Sequence, residues 1–132
     1  MQTTGLEIVQ TKDAPAPVGP YAQAVRAGSL LFISGQIPID PVTNQLVAGG
    51  IEVETQRVLD NLKAVLASQG LGFENVVRTT VFMIDLSEFP RMNEVYARAL
   101  GQARPARACV QVAALPKGVR VEIDAIASYP AP

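Results

Sequence analysis

An α+β domain, with two helices packed on one face of a mixed β-sheet, is the fold class this sequence predicts. Three observations carry it. Residues 51–69 and 89–100 place apolar side chains at three- and four-residue steps, as a helix with one buried face requires. Five shorter runs are β-branched and apolar-rich and are bounded by Gly, Pro, Asn or Asp. Their order, β-β-α-β-α-β-β, makes both helices connections between strands. The 132 residues fit one domain spanning 1–132 and leave no length for a second catalytic module.

The elements follow in chain order. Residues 13–20, DAPAPVGP, hold three Pro and a Gly and read as an ordered loop or stiff arm, not a helix. From Tyr21 to Ser34, YAQAVRAGSLLFIS splits at Ala27, Gly28 and Ser29 into two apolar runs, a hairpin signal. Ile37 to Gly50 is a loop with room for one short strand, its turns supplied by Asp40, Pro41, Thr43 and Asn44. The first helix carries Ile51, Val58, Leu59, Leu62, Val65 and Leu66 on one face and stops at Gly70. Glu54, Arg57, Asp60, Asn61 and Lys63 lie off that stripe and read as its solvated side. Phe73 to Ile84 contains VVRTTVFMI, a long strand expected to be buried on both faces.

Asp85 and Ser87 can cap the second helix, whose apolar stripe is Phe89, Met92, Val95, Tyr96, Ala99 and Leu100. Pro90 is tolerated there because the first turn has no N–H partner to lose, and the helix should end near Gly101. Two closing strands, Arg107–Ala114 and Val119–Ser128, are joined by Leu115, Pro116, Lys117 and Gly118 and read as a hairpin. Alternation sets Ala108, Val110 and Val112 against Arg107, Cys109 and Gln111 in the first strand. In the second it sets Val121, Ile123 and Ala125 against Arg120, Glu122 and Asp124. Read as a hairpin, they present Arg, Cys and Gln beside Glu and Asp on one face.

Composition narrows the chemistry. There is no His and one Cys, which removes a His general base, Ser-His-Asp and Cys-His pairs, Cys- or His-rich zinc sites and an internal disulfide. Eleven basic against twelve acidic residues give a formal charge of −1, without the positive field on which nucleic-acid affinity usually rests. No apolar run approaches a membrane span, and MQTTGLEIVQ lacks an export signal's pattern; with an unpaired Cys, the expected location is the cytoplasm.

Arg107 is the first candidate for chemistry, because a guanidinium at a strand's start can hold a small carboxylate through two hydrogen bonds; the alternative is an ion pair to Glu122 or Asp124. Cys109 has no base to activate it and reads better as a small apolar filler than as a nucleophile. Tyr21, after Gly19 and Pro20, either projects into a cleft or anchors the arm. Ser34 and Gly35, placed at a strand's end, either allow close approach of a ligand or make an ordinary turn.

The run PARACVQVAALPKGVRVEIDAIA, residues 105–127, closely resembles the C-terminal signature of the RidA (YjgF-like) family of enamine/imine deaminases. DAPAPVGPYAQAV (13–25), LLFISGQIPIDPVTNQL (30–46) and residues 54–97 follow in family order, so the resemblance spans nearly the whole chain. It implies a chorismate-mutase-like fold assembled as a homotrimer, with a cleft at each subunit boundary. It also implies hydrolysis of 2-aminoacrylate and its relatives 2-iminopropanoate and 2-iminobutanoate to 2-oxo acids and ammonia, without cofactor or metal. Carried over by position, Arg107 would hold the substrate carboxylate and Glu122 would activate water. Tyr21, Ser34, Gly35, Asn93 and Cys109 would line the pocket. The expected partners are small 2-imino and 2-oxo acids and further copies of the chain, with neither nucleic acid nor membrane.

Three departures stand out. Ala108 replaces a common Ser, Arg104 replaces a common aromatic before Pro105, and the stretch from Tyr96 to Pro105 is about three residues short of familiar members. They bear on substrate size and preference. Two other readings use the same residues: a deaminase dedicated to an aminoacrylate or aminomuconate pathway, and a non-catalytic binder of small acids. Retention of Glu122 beside Arg107 disfavours the binder, because a buried acid repels a carboxylate ligand. Nuclease activity, sometimes attributed to relatives, gains nothing from a charge of −1 and no His.

Overall fold

The structure, a computed structural model, describes residues 5–132. Its strands are β1 (Leu6–Val9), β2 (Ala24–Ala27), β3 (Leu30–Gln36), β4 (Val76–Met83), β5 (Ala106–Gln111) and β6 (Val121–Ser128), and its helices are α1 (Ile51–Ser68) and α2 (Phe89–Leu100). They form one six-stranded sheet in the order β1-β2-β3-β6-β4-β5. Pairing is antiparallel except between β4 and β5, which run parallel and are connected through α2.

Local chemistry fixes both helices. In α1, Glu52 and Glu54 complement the positive end of the helix dipole, and Val58, Leu59, Leu62, Val65 and Leu66 form its buried stripe. Gly70, at φ +71°, turns the chain back so that the Leu71 N–H donates to Leu66 O at 2.9 Å. Ahead of α2, the Asp85 carboxylate accepts from the Ser87 N–H at 2.9 Å, and Pro90 falls in the first turn as expected. Both helices lie over the same face, packing on Leu31, Ile33, Val81, Met83, Val121, Ile123 and Ala125. Full burial of each such large aliphatic side chain contributes roughly 1.5–3 kcal/mol, so this layer holds the domain together.

The expected α+β architecture is found, with four corrections. β1 is an additional strand, too short and flanked by too little pattern to stand out. The two closing strands are not a hairpin: β4 lies between β5 and β6. β4 is buried on the helix side only, leaving Val77 and Arg78 exposed. Finally, two residues of the supposed solvated side of α1 are buried. Asn61 is fully enclosed and donates through Nδ2 to Ile37 O at 3.2 Å and Ile39 O at 3.0 Å, while Glu54 accepts from the Arg120 N–H at 2.9 Å. Each satisfies loop or strand-end backbone groups that no ladder reaches.

Candidate active site

On the face opposite the helices, Glu122 stands on β6 across from Phe82 of β4. β3 carries a bulge where it passes this position: Ile33 pairs with Ala125 and Gln36 with Ile123, so Ser34 and Gly35 together oppose Asp124. Both residues therefore lie inside β3, in a bulge, and not at its end. The extra residue bends the strand and brings the Gly35 backbone against the Glu122 carboxylate. A Cβ there would overlap Glu122 Oε2 and stand 2.9 Å from its Cδ, so a side chain at 35 and the present Glu122 conformation exclude each other.

Ser34 holds the bulge in place, its Oγ–H donating to Ala22 O at 2.6 Å and its N–H to Gln23 O at 2.9 Å. Gln23, which the sequence reading passed over, is buried and locks the Pro-rich arm. Its Oε1 accepts from the Thr11 N–H at 2.7 Å and its Nε2 donates to Thr11 O, Ala14 O and Pro15 O at 2.8–3.1 Å. The arm so fixed delivers Tyr21, whose hydroxyl accepts from the Val18 N–H at 3.3 Å. Tyr21 thus both anchors the arm and faces a cleft of about 340 Å³, lined by Val18, Tyr21, Ser34, Gly35, Ile37, Pro116 and Glu122. Burial, reinforced by neighbouring Asp124, pushes the Glu122 carboxyl above the usual glutamate range.

Arg107 is elsewhere. On β5 it pairs with Thr79 and so points to the helix side, where its guanidinium lies over the rings of Tyr96 at 4.8 Å and Phe89 at 5.4 Å. Its Nη1 donates to Asn93 Oδ1 at 2.7 Å. Among the described residues no carboxylate lies within ion-pair distance of it, which rules out the alternative reading of an ion pair to Glu122 or Asp124 inside one chain. Cys109 follows on the same face, its Sγ 3.8 Å from Met83 Sδ, and burial pushes its thiol up despite the nearby guanidinium. It is a packed, protonated side chain, as the absence of an activating base led us to expect.

The seven candidate residues therefore form two groups and not one face. Tyr21, Ser34, Gly35 and Glu122 share the cleft on the open side of the sheet; Asn93 of α2 and Arg107 and Cys109 of β5 lie on the helix side at the sheet's edge. The face on which Arg107 and Cys109 were set beside Glu122 and Asp124 does not exist, because β4 intervenes and the register puts the two sets on opposite sides. Arg120 also leaves the Glu122 side, turning to Glu54 and Glu88. Arg104 folds back so that its Nη1 donates to Gly101 O and Ala103 O, capping the end of α2.

The family model described as Endoribonuclease L-PSP matches residues 11–129, from the arm through the end of the sheet. The chain belongs to the L-PSP (YjgF/RidA) family. Protein DfrA of Myxococcus xanthus is 52% identical over 96% of this chain and 98% of its own length. The 2-iminobutanoate/2-iminopropanoate deaminase of Mus musculus is 47% identical over 92% of this chain and 90% of its own. Among solved structures, that of E. coli TdcF with bound serine superposes with a TM-score of 0.90 at 41% identity, covering 94% of this chain and 99% of that one. In this RidA-family chain the family match runs from the arm to the end of the sheet, and the six-stranded sheet with two helices on one side is the fold that superposes on TdcF. The described residues contain no group of three or more His, Cys, Asp or Glu arranged to hold a metal ion, and no helix long and apolar enough to cross a membrane.

Proposed function

We propose that this protein is an enamine/imine deaminase. It hydrolyses 2-aminoacrylate, 2-iminopropanoate and 2-iminobutanoate to 2-oxo acids and ammonia, working without a cofactor as a cytoplasmic homotrimer. The observation that carries the reading is the separation of Arg107 and Glu122 onto opposite faces of one chain. Each group is half of a site: a guanidinium already oriented by two rings and an amide but lacking an anion, and a half-buried acid in a cleft lacking a cation. Copies arranged head to tail bring the Arg107 side of one to the Glu122 side of the next, and a ring of three closes the set. The open sheet face supports this, since Ile8, Phe32 and Val110 expose 70%, 44% and 41% of their surface there, apolar area of the kind an interface covers. The serine bound by TdcF and the mouse deaminase's name point to the same class of small amino-acid-derived ligand.

In the shared site Arg107 holds the substrate carboxylate by two charge-assisted hydrogen bonds, with Asn93 and the rings keeping the fork in one orientation. Cys109, Tyr21, Ser34 and Gly35 complete the walls, and Val18, Ile37 and Pro116 give the substrate's short alkyl group an apolar surface. The imine carbon is electrophilic, so the main work is to position water against it. Glu122 accepts a proton as water oxygen bonds to C2. It returns that proton to the imine nitrogen, formed by tautomerisation where the substrate is 2-aminoacrylate, and then relays the hydroxyl proton of the tetrahedral adduct to the same nitrogen as the C–N bond breaks; one water enters, one ammonia leaves, and Glu122 ends as it began. A pKa raised above the usual glutamate range by burial and Asp124 suits both steps.

The test generates 2-aminoacrylate or 2-aminocrotonate with a serine/threonine dehydratase and traps the surviving imine with semicarbazide. Wild type lowers the trapped imine; Arg107→Ala and Glu122→Gln each do not. Mixing the two inactive variants as reassembled trimers restores about a quarter of wild-type turnover, since three-quarters of random trimers are mixed and each mixed trimer holds one intact site in three. Absence of any wild-type effect refutes the deaminase reading. Failure of the mixture to recover, with mixed trimers verified by mass, refutes the shared site.

A further inference from the structure

The two half-sites of one chain are joined by a side chain in neither. Arg120 immediately precedes β6 and lies two residues before Glu122. Its backbone N–H donates to Glu54 Oε1 of α1 at 2.9 Å, and its carbonyl accepts from the Ile84 N–H beyond β4 at 3.3 Å. Its Nη1 donates to both oxygens of Glu88 at 3.1 and 3.2 Å, and Glu88 also accepts from Arg91 Nη2 at 3.3 Å. Glu54 and Glu88 are each only 8% exposed. Glu88 leads directly into α2, whose Phe89, Asn93 and Tyr96 orient Arg107. One residue thus ties the beginning of the strand that carries Glu122 to the beginning of the helix that holds Arg107.

We propose that Arg120 is a positioning residue that sets the Glu122 half-site and the Arg107 half-site of each subunit relative to one another. Its kinetic consequence rests on the deaminase reading; its structural consequence does not. α2 has its own buried stripe, Met92, Val95, Tyr96 and Leu100, so the carboxylate grip is held in part without Arg120. Val121 and Glu122, the first residues of β6, are paired with β4 alone, because the β3 ladder beyond the bulge at Ser34 and Gly35 reaches only to Ile123. Loss of the clamp therefore falls more heavily on Glu122, hence on kcat more than on KM.

The experiment compares wild type, Arg120→Met and Arg120→Lys in the dehydratase-coupled assay. It also follows the Glu122 side-chain carboxyl ¹³C and Arg107 Nε ¹⁵N resonances of each protein. Arg120→Met should lower kcat about tenfold while KM stays within about twofold, less than the roughly hundredfold that a 1 Å misplacement costs, because the rest of β6 stays paired. Arg120→Lys, which keeps a cation on Glu88, should recover most of the loss. Both resonances should move in Arg120→Met although their groups lie on opposite faces. Unchanged kcat in a variant that is merely less heat-stable overturns the proposal, as does movement of one resonance alone. If wild type shows no imine turnover but both resonances move, the clamp stands and the deaminase reading falls. Should Arg120→Met fail to fold, Glu88→Gln, which keeps an acceptor oxygen while removing the charge, is read by the same measurements with the same outcomes.

Discussion

Replacing Gly35 by Ala separates chemistry from folding at the cleft. Gly35 does not occupy the left-handed region, so an alanine fits its backbone, and the three atoms nearest the added Cβ all belong to Glu122. It would stand 2.9 Å from Cδ and 3.1 Å from Cγ and overlap Oε2, whereas carbon atoms pack comfortably at about 3.5–4.0 Å. The carboxylate must withdraw by about 1 Å, a displacement that costs on the order of 100-fold when the displaced group is the reacting one. That corresponds to about 2.7 kcal/mol in the barrier at 1.36 kcal/mol per decade. Stability changes far less: a strained Glu122 rotamer costs about 0.5–1.5 kcal/mol, offset by about 0.4–1 kcal/mol from the less flexible unfolded chain. The dehydratase-coupled assay should therefore show kcat lowered about 100-fold, with a urea midpoint close to wild type. Wild-type turnover in a folded Gly35→Ala protein would refute the assignment of water activation to Glu122 in the orientation seen here.

Three further outcomes are expected. Because burial raises the Glu122 pKa, its contribution to stability is fully present below the unfolded glutamate value of about 4.3 and is lost as pH rises through the higher folded value. Glu122→Gln should thus melt above wild type at neutral pH with the gap closing toward pH ~4, and wild-type turnover should fall as pH drops through the same raised value; a gap that widens toward acid contradicts the sign. Cys109→Ala should keep turnover within about threefold, and the native thiol should react slowly with iodoacetamide near pH 7, because the thiolate is scarce; rapid alkylation or loss of activity would restore Cys109 as a chemical participant. Asn61→Leu should lower unfolding free energy by about 2–4 kcal/mol in urea titrations, since it strips donors from the Ile37 and Ile39 carbonyls; a loss below about 1 kcal/mol would mean that water reaches them.

Helix positions and the first hairpin were legible because each depends on neighbours in sequence. The stripe of α1, the glycine stops at Gly70 and Gly101, and the turn at Gly28 are written within a few residues of where they act. Asn61 and Gln23 were not legible in the same way. A buried amide looks identical to a solvated one in sequence, and what buries each is loop backbone lying 22–24 and 8–12 residues away. The bulge at Ser34 and Gly35 left a trace, a small pair interrupting the apolar run of β3. Its meaning depends on Glu122, far along the chain.

The misplacement of Arg107 beside Glu122 has a deeper cause, and it bears on how the protein works. Alternation within a strand sorts residues into two sets but does not say which set faces which way; that is decided by the neighbouring strand. With β5 and β6 paired directly, the polar set of each could share a face. With β4 between them, Thr79 is buried under the helices and carries Arg107 to that side, while Phe82 carries Glu122 to the other. The parallel crossover through α2 that puts β5 at the edge thus divides the candidate chemistry between two faces. A fold that keeps its cation and its acid on opposite faces prevents them from neutralising each other within one chain. On the proposed shared site, each group stays available to an anionic substrate and a water that meet where a second copy supplies the other half.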